Sequence, residues 1–350
     1  MNLSRVSLGT MLFGSSLNKN ESFAILDKFY ELGGRVIDTA QMYPVPCNEK
    51  RIGLTEKIIG EWMDINNVKS EFFISSKISG TTNRIPFLNK QYSEIYGKEH
   101  LRLELKKNLS RLRIEKLDLL YLHWPTRETH NFGKGVGTNP NELYKKKSNI
   151  VSINKYIENV FELYAEGLIK NIGISNETPY GIHKYLLTLK KYNYEGDFYL
   201  QNPINLLSPT FVLTLQELCL NERIFVQAHS PLAFGLLSES KIEYLKDKNK
   251  VDKNSRFITY PNYYKRYLKE RTNSFLIELD ILARKKNLNI YDLAYGFLLN
   301  DPTITHIVIG PRTIIQLEKS VKSINQFKKN FRNVSEELYE LINKYSIISY

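Results

Sequence analysis

A closed (β/α)8 barrel is the fold this sequence predicts, on three observations. Short apolar runs alternate with amphipathic stretches along almost all of the 350 residues, the pattern of a parallel α/β protein. The carboxyl ends of seven of these runs collect Asp38, Lys77, His123, Ser175-Asn176, Gln201, His229 and Gly310. In a barrel those ends share one face, and that face carries the chemistry. Thirdly, no run is followed by the Gly-x-Gly-x-x-Gly that an open doubly wound dinucleotide domain carries between strand and helix. The nearest imitation, Gly133-Lys134-Gly135-Val136-Gly137, has no strand directly before it and reads as a loop.

The elements follow in order. Residues 6–13 give the first strand. A helix over 20–32 has Ile25, Leu26, Phe29 and Leu32 at helical spacing and stops at Gly33-Gly34. Residues 36–38 form the second strand, and 55–63 lie in the next helix. The third strand, 72–76, ends on Lys77; a long polar loop leads to a helix over 98–112. The fourth strand, 117–122, ends on His123 and precedes a helix over 153–166 closed by Gly167. The second half repeats the scheme, with strands at 169–174, 198–201, 225–228 and 305–309. Its helices fall at 179–192, 211–221, 275–286, 290–299 and 313–325. Residues 230–271 show no clear period, and 336–345 read as an extra C-terminal helix. Residues 1–350 are thus expected to form a single barrel domain with long loops at the carboxyl face.

Composition narrows the function. The net charge is +12, but Lys and Arg are spread along the chain with acids interleaved. The densest clusters, Lys145-Lys146-Lys147 and Lys246-Asp247-Lys248-Asn249-Lys250, sit in expected loops, so the balance reads as solvated surface and not as a nucleic-acid site. No apolar run approaches the roughly 18 residues of a transmembrane helix. Residues 1–14 carry Arg5 but no apolar segment with a cleavage site, and read as the first strand. Cys47 and Cys219, the only cysteines, make a poor disulfide framework and a poor metal site. A cytoplasmic location and no metal are the expectation.

Asp38, Tyr43, Lys77 and His123 together have the logic of a proton donor beside a carbonyl. A tyrosine with its ordinary pKa of about 10 is a weak acid at neutral pH. An adjacent lysine ammonium lowers that pKa, and a carboxylate holds the lysine. A histidine then donates to the substrate oxygen as charge develops on it. The set has no serine or cysteine nucleophile with a base and no metal cluster. It suits carbonyl reduction with hydride from a cofactor.

Asp38-Thr39-Ala40-Gln41-Met42-Tyr43, Ser75-Ser76-Lys77 and Leu122-His123-Trp124-Pro125 resemble successive active-site motifs of the aldo-keto reductases. Gly173-Ile174-Ser175-Asn176, Gln201-Asn202-Pro203 and Ile309-Gly310 with Gln316-Leu317 resemble that family's cofactor motifs. Met42-Tyr43-Pro44-Val45-Pro46, His123-Trp124-Pro125-Thr126-Arg127 with Phe132-Gly133, and Ser175-Asn176-Glu177-Thr178 are most similar to its Tas-like branch.

The resemblance implies a barrel that binds NADPH across its carboxyl face and reduces an aldehyde or ketone, a small-molecule substrate. Tyr43 would be the general acid, assisted by Lys77 and Asp38, with His123 orienting the carbonyl. Ser175, Asn176 and Gln201 would hold the nicotinamide carboxamide, with Thr10 and Met11 lining the same end. Ser230, Pro231, Leu232, Ala233 and Gly235 would follow the pyrophosphate. Gly310, Arg312, Gln316 and Ser320 would take the adenosine 2′-phosphate and adenine, with Arg256 as a further phosphate contact. His229 stands where the family usually stacks a Tyr or Trp on the nicotinamide. Lys319-Ser320 replaces the usual Glu-Asn pair, and little chain precedes the first strand. Tyr92, Trp124, Phe132 and the tyrosines of 260–267 are candidates for the substrate pocket. The alternative reading is a cofactor-binding regulatory subunit of the same fold.

Overall fold

The computed structural model describes residues 3–80, 97–127, 129, 153–250, 253, 255–259, 267–268 and 270–345. Eight parallel strands close into a barrel in chain order, β1 pairing with β8. They are β1 Val6–Gly9, β2 Val36–Asp38, β3 Phe73–Ile78, β4 Leu117–Leu122, β5 Ile169–Ser175, β6 Phe198–Pro203, β7 Phe225–His229 and β8 Ile304–Ile309. The fold is the expected (β/α)8 barrel. β1 is shorter than 6–13 because the chain turns after Thr10, the Phe13 amide donating to the Thr10 carbonyl, while the Thr10 amide and hydroxyl both donate to the Asp38 carbonyl.

The barrel helices pack outside. They are α1 Lys19–Glu31, α2 Leu54–Ile65, α3 Lys98–Leu112, α4 Ile153–Ala165, α5 Pro179–Lys191, α6 Thr210–Thr214 and α7 Gln216–Asn221. After β7 come α8 Glu239–Lys246, α9 Arg256–Thr259, α10 Thr272–Lys285, α11 Ile290–Leu299, α12 Ile314–Arg332 and α13 Ser335–Lys344. Local signals set several starts. Asn18 and Glu21 form a capping box on α1, Thr178 caps α5 with Pro179 behind it, and Thr313 caps α12. The expected helix over 211–221 is two short helices, broken at Leu215 (φ −133°). α12 runs seven residues past 325, to Arg332.

Alternate residues of each strand point into the barrel. Neighbouring strands align Gly9 with Asp38, Asp38 with Ser75, Lys77 with Tyr121, Tyr121 with Gly173, and Ser175 with Gln201. An aromatic plug fills the lower interior. Tyr199 stacks on Phe225 at 5.0 Å and lies 6.2 Å from Phe73, beside buried Leu119 and Tyr121. Gly173 is required at its place, because a Cβ there would strike the Tyr121 ring. The outward strand residues, such as Leu8, Ile37, Ile74 and Leu120, join the helices in one large apolar core. The plug supports a polar layer directly above it.

Candidate active site

That layer is centred on a buried ion pair. Lys77 Nζ lies 2.6 Å from Asp38 Oδ2, with the two side chains only 1% and 3% exposed. Each charge has further partners. Lys77 donates to the Thr39 carbonyl at 2.9 Å. Asp38 Oδ1 accepts from Ser75 Oγ at 2.9 Å and, across the barrel, from Gln201 Nε2 at 2.7 Å. Gln201 in turn donates to Gln227 Oε1 at 3.1 Å. Burial pushes the Lys77 amine below its ordinary value, and the Asp38 carboxylate opposes that shift.

Tyr43 sits over this pair, its ring centroid 5.6 Å from Lys77 Nζ. Its loop is tied on several sides. The Tyr43 amide donates to Ala40 and its carbonyl accepts from the Gly53 amide, while the Val45 amide donates to Met11. Gln41 accepts from the Ser79 amide and donates to Glu104. The half-buried Tyr43 ring packs against a small apolar cluster of Ala40, Met42 and Trp124.

His123 continues past β4, its amide donating to the Ile78 carbonyl at 3.1 Å. Its ring meets Tyr43 edge-on at 5.7 Å and lies 4.9 Å from Trp124. Burial, then the nearby charges of Lys77 and His229, push the imidazole well below its ordinary pKa. His123 is therefore neutral at neutral pH, and a neutral imidazole keeps one N–H to donate.

A second cluster adjoins the first. Ser175 Oγ donates to the Gln201 carbonyl at 2.7 Å. Asn176 adopts a left-handed φ of 59°, and its Nδ2 donates to the His123 carbonyl and to Ser175 Oγ, both at 3.0 Å. Its Oδ1 is then the acceptor toward His229 Nε2 at 3.2 Å, which fixes the tautomer with the proton on Nε2. His229 Nδ1 faces Ser230 Oγ at 3.0 Å. The imidazole thus bridges Asn176 to the start of the 230–235 loop.

That loop carries an unusual run of left-handed residues. Ser230, Ala233, Phe234 and Gly235 have φ of 57°, 46°, 58° and 89°. The loop is tied to itself, the Ala233 amide donating to the Ser230 carbonyl at 2.9 Å and the Gly235 amide to the Leu232 carbonyl at 2.8 Å. Pro231 and Ala233 are buried in it and Leu232 is half-buried. Beyond β8, Gly310 accepts from Arg256 at 2.8 Å through its carbonyl. A Cβ on Gly310 would crowd that guanidinium at 3.2 Å. Arg312 is half-buried, and its amide donates to Gln316 Oε1 at 2.9 Å at the start of α12.

Most of the residues expected at this face are therefore brought together around one strip of the barrel mouth. Thr10 is fully buried, its hydroxyl on the Asp38 carbonyl. Ser320 is also buried and accepts from the Tyr295 hydroxyl at 2.9 Å. Trp124 is buried beside His123. Tyr267 is buried near Asn205. Tyr92, Phe132, Tyr260, Tyr263 and Tyr264 lie outside the described residues, as do Lys145-Lys146-Lys147 and Gly133 to Gly137. Ser75, Gln227 and the ion pair between Arg127 and Glu177 have roles here that the motifs do not assign. Ser75 and Gln227 are polar residues on barrel strands, and that position is the signal for them.

The chain matches the family model described as "Aldo/keto reductase family" over residues 5–340. It belongs to the aldo/keto reductase family. That family is one of oxidoreductases. The chain is 30% identical to "Protein tas" of Escherichia coli over 325 residues, 93% of this chain and 90% of the relative. It is 26% identical to an "Aldo-keto reductase" of Babesia bovis over 261 residues, 72% and 89% of the two chains. It is 24% identical to "Norsolorinic acid reductase stcV" of Emericella nidulans over 348 residues, 97% and 77%.

Proposed function

We propose that this member of the aldo/keto reductase family reduces an aldehyde or ketone to an alcohol with NADPH, and that Tyr43 donates the proton. The observation that carries this reading is the buried Lys77–Asp38 pair beneath the Tyr43 ring, with the neutral His123 ring edge-on to it.

The cofactor fits the residues present. Asn176 and Ser175 place an amide and a hydroxyl beside His123, the left-handed loop of Ser230 to Gly235 follows β7 next to them, and Arg312 and Arg256 flank the start of α12. A guanidinium beside a helix N-terminus favours a phosphate, and the adenosine 2′-phosphate is the group that distinguishes NADPH from NADH. Met11 and Thr10, at the end of β1, border the nicotinamide end. When bound, the reduced nicotinamide supplies the hydride that reaches the carbonyl carbon. Tyr43 passes its phenolic proton to the carbonyl oxygen, which completes the alcohol. The ammonium of Lys77 stabilises the phenolate left behind, and Asp38 holds that ammonium in place. His123 donates to the carbonyl oxygen as negative charge builds on it.

Both free cysteines, Cys47 and Cys219, suit a reducing compartment such as the cytoplasm. Site residues from all eight strand ends, and from the first third to the last third of the sequence, suit a single domain over 1–350. The test is to mix purified protein with NADPH and a panel of aldehydes and ketones and follow NADPH absorbance. Turnover is expected. Cofactor binding with no turnover across the panel would instead identify a regulatory subunit of the same fold.

A further inference from the structure

Arg127 follows His123-Trp124-Pro125-Thr126, and Glu177 follows Ser175-Asn176. Fifty residues apart in sequence, they form one object in the fold. Arg127 NH1 donates to Glu177 Oε1 at 2.7 Å, and NH2 donates to Oε2 at 3.0 Å. This is a bidentate fork, with Glu177 only 1% exposed and Arg127 13%. Glu177 Oε2 also accepts from the Thr178 amide at 2.6 Å, and Arg127 NH2 reaches Thr178 Oγ1 at 2.9 Å. Asn202 grips the Glu177 backbone from both sides, accepting from its amide and donating to its carbonyl, each at 3.0 Å. Gly181 leaves the room the carboxylate needs, because a Cβ there would strike it.

Between Ser175 and this clamp stands Asn176, held at a left-handed φ of 59° with its amide on the His123 carbonyl. A closed circuit results. It runs from His123 through Asn176 to Glu177, across the ion pair to Arg127, and back along the chain to His123. A non-glycine residue persists in left-handed backbone when its surroundings over-determine it. Buried ion pairs add little net stability against an apolar replacement, so the cost of desolvating this one points to a task other than stability.

We propose that the Arg127–Glu177 pair is a positioning device. It locks the ends of β4 and β5 together, so that the His123 ring and the Asn176 amide keep one fixed separation. On the reductase reading above, this aligns the carbonyl with the nicotinamide. A displacement of about 1 Å at such a centre costs about a hundredfold in rate.

The test uses the full chain with Arg127→Ala, Arg127→Lys and Glu177→Gln, measured with NADPH and an aldehyde that the wild type reduces. Arg127→Ala should lower kcat by at least about tenfold and weaken NADPH, with a smaller change in aldehyde KM. Guanidinium ion at sub-denaturing concentration should restore part of the lost kcat, which a loss of folded protein would not allow. Arg127→Lys keeps the charge without the fork and should fall between. It carries the test if Arg127→Ala does not fold. Values of kcat and NADPH affinity within about twofold of wild type in Arg127→Lys and Glu177→Gln would overturn the proposal. So would a loss that guanidinium leaves unchanged. If the wild type reduces no carbonyl, the reductase reading fails by itself. The pair is then judged by amide hydrogen exchange at Asn176, Glu177 and Thr178. Exchange about tenfold faster in Arg127→Lys supports the lock, and unchanged exchange overturns it.

Discussion

At one end of the site the charges are sealed from water, and at the other they stand half in it. Lys77 and Asp38 are bonded to each other and to Thr39, Ser75 and Gln201, all of them buried. Arg256 and Arg312 are half-buried, and the guanidinium of Arg256 rests on a backbone carbonyl. The contrast follows from the work proposed for each end. A pair that tunes a phenol acts strongly only in a low effective dielectric and in fixed geometry. A phosphate clamp has to exchange its ligand every turnover and tolerates water. Changes at the buried end should therefore act on the chemical step, and changes at the open end on cofactor binding.

Breaking the buried pair should affect both turnover and stability. Asp38→Asn keeps the shape and removes the charge, leaving the Lys77 ammonium buried and unpaired. Steady-state kinetics should show kcat down by about 10²- to 10³-fold. Thermal unfolding should show a loss of several kcal/mol, about 3–5 for a broken buried pair. A variant with ordinary kcat would erase the contrast between the two ends.

At the open end, Arg312→Ala should weaken NADPH by about tenfold, about 1.4 kcal/mol, and NADH hardly at all. Titration by cofactor fluorescence measures both. Equal losses for the two cofactors would remove Arg312 from 2′-phosphate recognition. Salt sharpens the same division: raising ionic strength from about 0.01 M to 0.15 M shortens the screening length from about 30 Å to 8 Å. NADPH affinity should drop with salt, and kcat at saturating cofactor should not.

A further effect, away from the site, concerns pH. Burial, with Arg5 nearby, pushes His306 down to about 4. The unfolded chain takes up that proton near pH 6.5, so between about 6.5 and about 4 the unfolded state binds more protons. The contribution to stability is present above that window and is lost as pH falls through it. His306→Leu removes the titration. The wild type should lose ground to this variant in Tm on acidification, and a constant gap would contradict the assignment.

Much of the barrel could be read from sequence because parallel strands, buried on both faces, are continuous apolar runs that end abruptly. Leu117–Leu122 is buried throughout, and the polar residue after it is His123. Asp38, Lys77 and Ser175 were legible for the same reason. α8 was not. Glu239–Lys246 offers only Ile242, Tyr244 and Leu245 among five charged or hydroxyl residues, too thin a stripe to show a period. Ser238 caps it, accepting from the Lys241 amide, and was the usable sign. The link between Arg127 and Glu177 was invisible in a different way. Each was noticed inside its own motif, but only the closure of β4 against β5 brings them into contact. The contact of Ser320 with Tyr295 was invisible likewise, since it arises only where α11 packs on α12.

The central claim is that Tyr43 donates the proton over the buried Lys77–Asp38 pair. Tyr43→Phe keeps the ring against Ala40, Met42 and Trp124 and removes only the hydroxyl. Measured with NADPH and an aldehyde substrate of the wild type, its turnover should fall by about 10³-fold, with NADPH affinity within about twofold of wild type. Near-normal turnover with the same cofactor affinity would contradict the account.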